Sequence, residues 1–115
     1  MKTTFLFPGQ GSQFVGMANV YEHSATARKA FEEAEEILGF PLRDYCFEGP
    51  EDILKQTQYT QPAIFVHSVA MDMLLKEKGI NPSATAGHSL GEYSALVSAG
   101  ALSFCDGVKL VNIRW

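Results

Sequence analysis

Apolar residues recur every three to four positions in residues 26–38, which is the spacing of one helix face. Ser24 stands where a helix cap is expected, and Gly39 follows the last apolar position, as glycine does after many helices. The spacing therefore predicts a helix over 26–38 that buries one face.

A second helical pattern begins at Thr60 and ends in the segment 76–79. Thr60 is suited to cap this helix, and Pro62 falls in the first turn, where proline is tolerated. Apolar residues cover most of its circumference, so we expect it to be buried on several sides. The polar segment 54–59 before it predicts a loop.

Two short apolar stretches bounded by turn residues predict buried strands, at residues 3–7 and 80–86. Further helices are predicted at 90–99 and, after a cap at Ser103, from there to the end of the chain. Shorter helical turns are predicted at 16–22, 41–47 and 50–54. Since strands alternate with helices, the fold class is α/β with a parallel sheet.

The composition is that of a folded domain. The chain has 115 residues, 46% hydrophobic and 19% charged, which allows one small domain at most. Its net charge of −4 gives no reason to expect nucleic acid or an acidic membrane surface as a partner. Its apolar runs are too short to span a bilayer, and Pro8-Gly9 cuts the first one before it resembles a signal peptide.

Cysteine usage indicates a cytoplasmic protein. Cys46 and Cys105 are far apart and lack metal-ligand spacing, so we interpret them as two reduced thiols rather than a disulfide or a catalytic thiol. The acidic residues of segment 32–36 lie mostly on the outer face of their helix. They are typical of a solvated surface, and no metal site is predicted.

The chemistry-bearing motif is Gly87-His88-Ser89-Leu90-Gly91, between a predicted strand and a predicted helix. Gly-x-Ser-x-Gly in this setting is typical of a nucleophile elbow, a sharp turn that projects the serine hydroxyl. The glycines leave room for the turn, and the helix N-terminus stabilises negative charge beside it. We predict that Ser89 is acylated during turnover. The alternative is that Ser89 only caps the helix.

A base for Ser89 is not evident in the sequence. A nucleophilic serine needs a base within hydrogen-bond reach, and in α/β hydrolases the histidine follows the serine. No histidine follows His88, and side chains adjacent on an extended segment point apart. His67 lies inside the long apolar helix and is interpreted as a core or boundary residue. The simplest account is an N-terminal part of a longer enzyme.

Four segments together resemble the malonyl-CoA:acyl carrier protein transacylase family, which includes acyltransferase domains of fatty acid and polyketide synthases. They are residues 7–13, residues 60–63, residues 87–96 and Arg114. The resemblance runs in order through all 115 residues.

The resemblance implies that a malonyl group passes from malonyl-CoA through Ser89 to the phosphopantetheine thiol of acyl carrier protein, in fatty acid biosynthesis. The CoA thioester is a substrate, so no cofactor is expected. By position, the backbone N–H groups of Gln10 and Leu90 form the oxyanion hole. Arg114 holds the malonyl carboxylate, and His88 lines the substrate site.

The same resemblance implies a partial α/β-hydrolase-like fold, with residues 1–115 as the N-terminal part of the large subdomain. Later strands, a ferredoxin-like subdomain and the catalytic histidine are expected outside this chain. Trp115 stands where the family usually has glycine. We therefore expect the 115-residue chain alone to be inactive.

Two other functions stay open at this point. One is a serine hydrolase, such as a thioesterase, with the same elbow. The other is a carrier-binding module or an inert truncated fragment. The choice between malonyl and methylmalonyl groups is also open.

Overall fold

The computed structural model describes residues 3–9, 24–47 and 49–114, without the side chains of Phe47 and Arg114. The predicted helical turn at 16–22 lies outside these residues. Strands and helices alternate in the described part of the chain as predicted. Their order is β1 Thr4–Phe7, α1 Ala25–Leu38, α2 Leu42–Phe47, α3 Glu51–Leu54, α4 Thr57–Glu77, β2 Ala84–Gly87, α5 Gly91–Ser98 and α6 Phe104–Arg114.

The strands β1 and β2 pair in parallel, as predicted. The prediction that they are buried was wrong, because Phe7 is the one buried residue in the two strands and Leu6 is 77% exposed. Thr4 lies opposite Ala84, and Phe7 lies opposite Gly87. Both strands therefore end at the same edge of the sheet, so the turns that follow them meet there.

The second strand is shorter than predicted, because it begins at Ala84 rather than at residue 80. Pro82 has no backbone N–H to contribute to a ladder. Pairing begins just after it, where the Ser83 N–H donates to the Thr3 carbonyl at 2.7 Å. Ile80 is 42% exposed and belongs to the connection from α4.

The helix α1 has the predicted caps. The Ser24 hydroxyl accepts a hydrogen bond from the Ala27 N–H at 3.2 Å, and the Gly39 N–H donates to Glu35 O at 2.8 Å. Gly39 has a φ of +79°, as at many helix C-termini. The buried face agrees with the predicted spacing and consists of Ala27, Ala30, Phe31 and Ala34.

The start of α4 was predicted wrongly. The helix begins at Thr57, so part of the predicted loop is helical, and its N-cap is Gln56 rather than Thr60. Thr60 lies inside the helix, fully buried, and its hydroxyl donates to the carbonyls of Leu54 and Gln56. Pro62 is consequently the sixth helical residue and not part of the first turn.

Aromatic packing explains the earlier start of α4. The Tyr59 ring lies 5.0 Å from the Phe40 ring and 5.0 Å from the Tyr45 ring, measured between centroids. These contacts order the first turn of the helix, although its composition is polar. Tertiary packing thus overrides local propensity at this point.

The helix α4 forms the centre of the core, where it packs against α1, α5 and α6. Its first half is buried on several sides, as predicted, and Phe65 is fully enclosed. The Phe65 ring stacks on Phe104 of α6 with centroids 5.9 Å apart. His67 lies half-buried at the boundary of this core, and loss of hydration lowers its pKa.

Both cysteines are free thiols in this structure. Cys46 is buried in the core, and burial, with a smaller effect of Glu35, raises its pKa to about 12. None of the helices described here is long and apolar enough to cross a bilayer.

We expect Phe65→Ala to lower the free energy of unfolding by about 3–5 kcal/mol, because it leaves a cavity between α4 and α6. Leu96→Ala is the matched control, since Leu96 is 47% exposed and its truncation should cost no more than about 0.5 kcal/mol. Urea denaturation of both variants measures the difference. Equal losses would contradict the placement of Phe65 in the core.

Candidate active site

The turn between β2 and α5 has the form expected of a nucleophile elbow. The strand ends at Gly87, the helix begins at Gly91, and only three residues connect them. Ser89 has a φ of +56°, and no other non-glycine residue in the described ranges has a positive φ. This left-handed conformation costs an L-residue about 1–2 kcal/mol, and such residues cluster at functional sites.

Backbone hydrogen bonds hold the turn in this conformation. The His88 N–H donates to the Phe7 carbonyl at 3.2 Å and so joins the turn to the end of β1. The Gly91 N–H donates to His88 O and the Glu92 N–H donates to Ser89 O, each at 3.0 Å. Carbonyls on both sides of the strained φ are therefore bonded, and these bonds offset its cost.

Ser89 does not occupy the capping position of α5. The N-cap is Leu90, which makes no side-chain cap hydrogen bond. Ser89 precedes the cap by one residue, and both His88 and Ser89 are exposed at the surface of the turn. The interpretation of Ser89 as a helix cap stays an untested alternative. Its role as a nucleophile stays a prediction.

The two motif glycines allow the strands and the helix to approach closely. A Cβ on Gly91 would stand 2.1 Å from the Phe7 carbonyl oxygen, and a Cβ on Gly87 would stand 2.0 Å from the Gly91 backbone. Both obstacles are backbone atoms, which cannot rotate away. Glycine at these positions thus brings the end of β1 against the first turn of α5.

The loop after β1 also contacts the elbow. An added Cβ on Gly9 would lie 2.7 Å from the His88 carbonyl oxygen, so the two segments touch. Gln10 follows Gly9 but lies outside the described residues. The predicted contribution of its N–H group to an oxyanion hole stays a prediction.

Leu90 anchors the turn in the core through a side chain that is 1% exposed. Its N–H precedes the first turn of α5 and makes no hydrogen bond to another residue that the structure describes. Such N-terminal amides carry the positive end of the helix dipole, which favours an oxyanion. The Leu90 N–H is thus suited to the predicted role, which the geometry alone does not test.

The remaining predicted site residues are less fully described. Arg114 is the last residue of α6, which packs against α4 and α5, and its side chain lies outside the described part of the chain. His88 lies on the elbow turn itself. Of the predicted site residues, the structure thus describes His88, Ser89 and Leu90 fully, as the three consecutive residues of the elbow turn. Within the described ranges, no group of three metal-ligating side chains occurs.

A buried charge near the far end of α5 was not predicted from the sequence. Asp72 is 4% exposed although it lies in the apolar helix α4, and it pairs with Lys76. The sequence does contain a signal for this ion pair. Asp72 is an acidic residue in a helix that is otherwise apolar on nearly all sides, and a lysine follows it four positions later.

We expect Gly91→Ala to displace the end of β1 from the elbow and to destabilise the protein by about 1–3 kcal/mol. The control is Gly100→Ala, where the φ is +80° but nothing lies within 4 Å of an added Cβ. It should cost about 1–2 kcal/mol through backbone strain alone. In NMR spectra, only Gly91→Ala should shift the amide signals of Phe7 and Ser89. Unshifted signals in both variants would rule out the close contact.

Residues 4–115 match the family described as the acyl transferase domain. Among curated relatives, the malonyl CoA-acyl carrier protein transacylase of Bacillus subtilis (strain 168) is 53% identical over 114 residues. The alignment covers 98% of this chain and 36% of that protein. The protein of the same name from Synechocystis is 47% identical, over 99% of this chain and 39% of its own length.

Solved structures agree with this match. An acyl-carrier-protein S-malonyltransferase from Burkholderia pseudomallei 1710b superimposes with a TM-score of 0.94 at 44% identity, covering 99% of this chain and 38% of that one. A malonyl-transacylase in complex with its type II PKS acyl-carrier protein gives a TM-score of 0.92 at 43% identity, with the same coverage.

The chain thus spans 36–39% of the length of these relatives. A match from residue 4 to residue 115 covers nearly the whole chain, and the fold agrees with it. The chain belongs to the acyl transferase domain family.

Proposed function

We propose that this protein is a malonyl-CoA:acyl carrier protein transacylase of fatty acid biosynthesis and that Ser89 carries the malonyl group. One observation carries the proposal: the backbone of Ser89 is in the left-handed conformation, and the residue is exposed on a three-residue turn between β2 and α5. The names of relatives at 47–53% identity support the choice of reaction.

In the first half of the reaction, the Ser89 hydroxyl attacks the thioester carbonyl of malonyl-CoA. A C–O bond forms, the carbonyl oxygen becomes an oxyanion, and the C–S bond then breaks. CoA leaves with the proton that Ser89 gave up. The product is a malonyl ester on Ser89.

The oxyanion needs donors that point at it before the reaction begins. We assign the Leu90 N–H and the Gln10 N–H to this role. The contact between Gly9 and His88 supports the pairing, because Gln10 is the next residue after Gly9. Loss of one such donor costs on the order of 10²–10³-fold in rate in a serine enzyme.

In the second half, the phosphopantetheine thiol of acyl carrier protein attacks the malonyl ester. A C–S bond forms, the ester C–O bond breaks, and the proton of the attacking thiol passes to the Ser89 oxygen. The structural relative solved in complex with its acyl-carrier protein supports a carrier protein as the acceptor. The family resemblance assigns the proton relay to a histidine from a later segment of the protein.

Two further residues of this chain belong to the proposed site. The Arg114 guanidinium holds the malonyl carboxylate through paired hydrogen bonds, which its planar fork of donors favours. His88, exposed on the elbow turn, lines the space that the acyl group occupies.

We expect full-length protein incubated with malonyl-CoA to gain one malonyl group on Ser89 and to transfer it to holo acyl carrier protein. Ser89→Ala should lower transfer on the order of a million-fold, because it removes the nucleophile. Peptide mass spectrometry locates the adduct, and a gel-shift assay follows the carrier protein.

Ser103→Ala is the matched control for that experiment. It removes the hydroxyl that caps α6, where it accepts from the Asp106 N–H at 3.2 Å, so it should cost about 1 kcal/mol of stability but no acylation. Release of free malonate without malonyl carrier protein would indicate a hydrolase instead. Absence of any adduct on Ser89 would refute the acyl-enzyme.

We expect Arg114→Ala to lower the rate with malonyl-CoA relative to acetyl-CoA by about 10- to 100-fold, because a charged hydrogen-bonded pair is lost. Lys109→Ala, an exposed cation on the same helix, should leave the ratio unchanged. Competition between the two CoA thioesters measures this ratio. An unchanged ratio in Arg114→Ala would show that another residue binds the carboxylate.

A further inference from the structure

An ion pair on α4, between the buried Asp72 and the partly exposed Lys76, binds the last residue of α5. The Ser98 hydroxyl donates to Asp72 Oδ1 at 2.6 Å, and Lys76 Nζ lies 3.1 Å from Asp72 Oδ2. Lys76 Nζ also donates to the Ser98 backbone carbonyl at 2.5 Å. Two residues one turn apart on α4 therefore bind both the side chain and the main chain of Ser98.

Each member of this network depends on the others. Asp72 is 4% exposed, and a buried carboxylate is costly unless it is paired and hydrogen-bonded. Lys76 supplies the countercharge, and it also lies at the C-terminal end of α5, where a cation is favoured by the helix dipole. The network therefore has one preferred geometry, which defines where α5 ends relative to α4.

The helix α5 is held at two more points along its length. In its middle, the Thr85 hydroxyl of β2 donates to the Ala95 carbonyl at 3.1 Å. At its start, Gly91 lies against the Phe7 carbonyl. An eight-residue helix is only about 12 Å long, so it moves as a rigid rod. Without the bonds at Ser98, the helix would pivot about these two contacts, and the turn that carries Ser89 would tilt with it.

We propose that Asp72 and Lys76 are positioning residues for the acyl transfer, which hold α5 so that Ser89 and the Leu90 N–H stay aligned. The inference rests on the proposed function of Ser89. The bonds described for Asp72 and Lys76 reach Ser98 and not the elbow, so their effect on the position of Ser89 passes through the backbone of α5. A misplacement of about 1 Å at a reacting group can cost on the order of 100-fold in rate.

The test compares single-turnover acylation of Ser89 by malonyl-CoA in full-length variants. Lys76→Met keeps the aliphatic stem and removes both contacts of the ammonium group. Asp72→Asn combined with Lys76→Met leaves no unpaired buried charge, which protects the fold. Lys76→Arg restores a cation, and Lys78→Met is the control, because Lys78 is an exposed lysine just beyond the end of α4.

A positioning role predicts a specific kinetic pattern. In Lys76→Met and in the double variant, the acylation rate constant should fall about 10- to 100-fold. The fraction of chains finally acylated and the half-saturating malonyl-CoA concentration should stay the same. Lys76→Arg should recover most of the rate, and Lys78→Met should match the unaltered protein.

A purely structural role would appear differently. The fraction of chains that can be acylated would fall while the surviving molecules react at the normal rate, and this result would overturn the proposal. Normal rates and amplitudes in every variant would also overturn it.

Failure of the proposed function gives a separate result. If malonyl-CoA does not acylate the unaltered protein, the proposed transacylase function is refuted. The same set of variants is then compared by the rate at which phenylmethanesulfonyl fluoride modifies Ser89. Slower modification in Lys76→Met and in the double variant would support positioning, and equal rates would refute it.

Discussion

The structure of the site depends on the contact between the end of β1 and the elbow that follows β2. The Phe7 carbonyl accepts the His88 N–H and lies directly against Gly91, at the start of α5. This contact requires parallel strands in register, since only then do both carboxyl ends reach the same edge. It also requires glycine at position 91, because any side chain there would overlap a backbone oxygen.

The left-handed conformation of Ser89 follows from this contact. The chain has three residues in which to leave β2, pass over the end of β1 and enter α5. A turn this short accommodates the reversal by placing one residue in the left-handed region. The backbone bonds at His88, Gly91 and Glu92 offset the strain, and Leu90 fixes the turn to the core. A rigid, exposed serine beside a helix N-terminus suits the proposed acyl transfer.

The helix α4 connects the core to this site. It packs against all the other described helices, α1, α2, α3, α5 and α6, while Asp72 and Lys76 bind the end of α5. The same element thus supplies more residues to the core than any other described element, and it also supplies one of the constraints on the elbow. The binding of α5 gives a physical reason for the buried carboxylate of Asp72, because packing of the core requires only the apolar residues of α4.

Several features could be predicted from the amino-acid pattern: the α/β class, the caps and buried face of α1, the presence of two parallel strands, and the elbow with a strand before Ser89 and a helix after it. These features depend on local rules, namely periodicity, capping and turn chemistry, which act within a few residues. Ser89 could be selected from the motif alone, and Gln10, Leu90 and Arg114 from the family resemblance.

Three features could not be predicted from local patterns: the start of α4, the start of pairing in β2 and the network at Ser98. In each case residues far apart in the chain act together: Tyr59 with Phe40 and Tyr45, Ser83 with Thr3, and Asp72 with Ser98. Local propensity carries no information about such partners. Packing energy and the need to pair a buried charge outweigh it, and both arise only when the chain is folded.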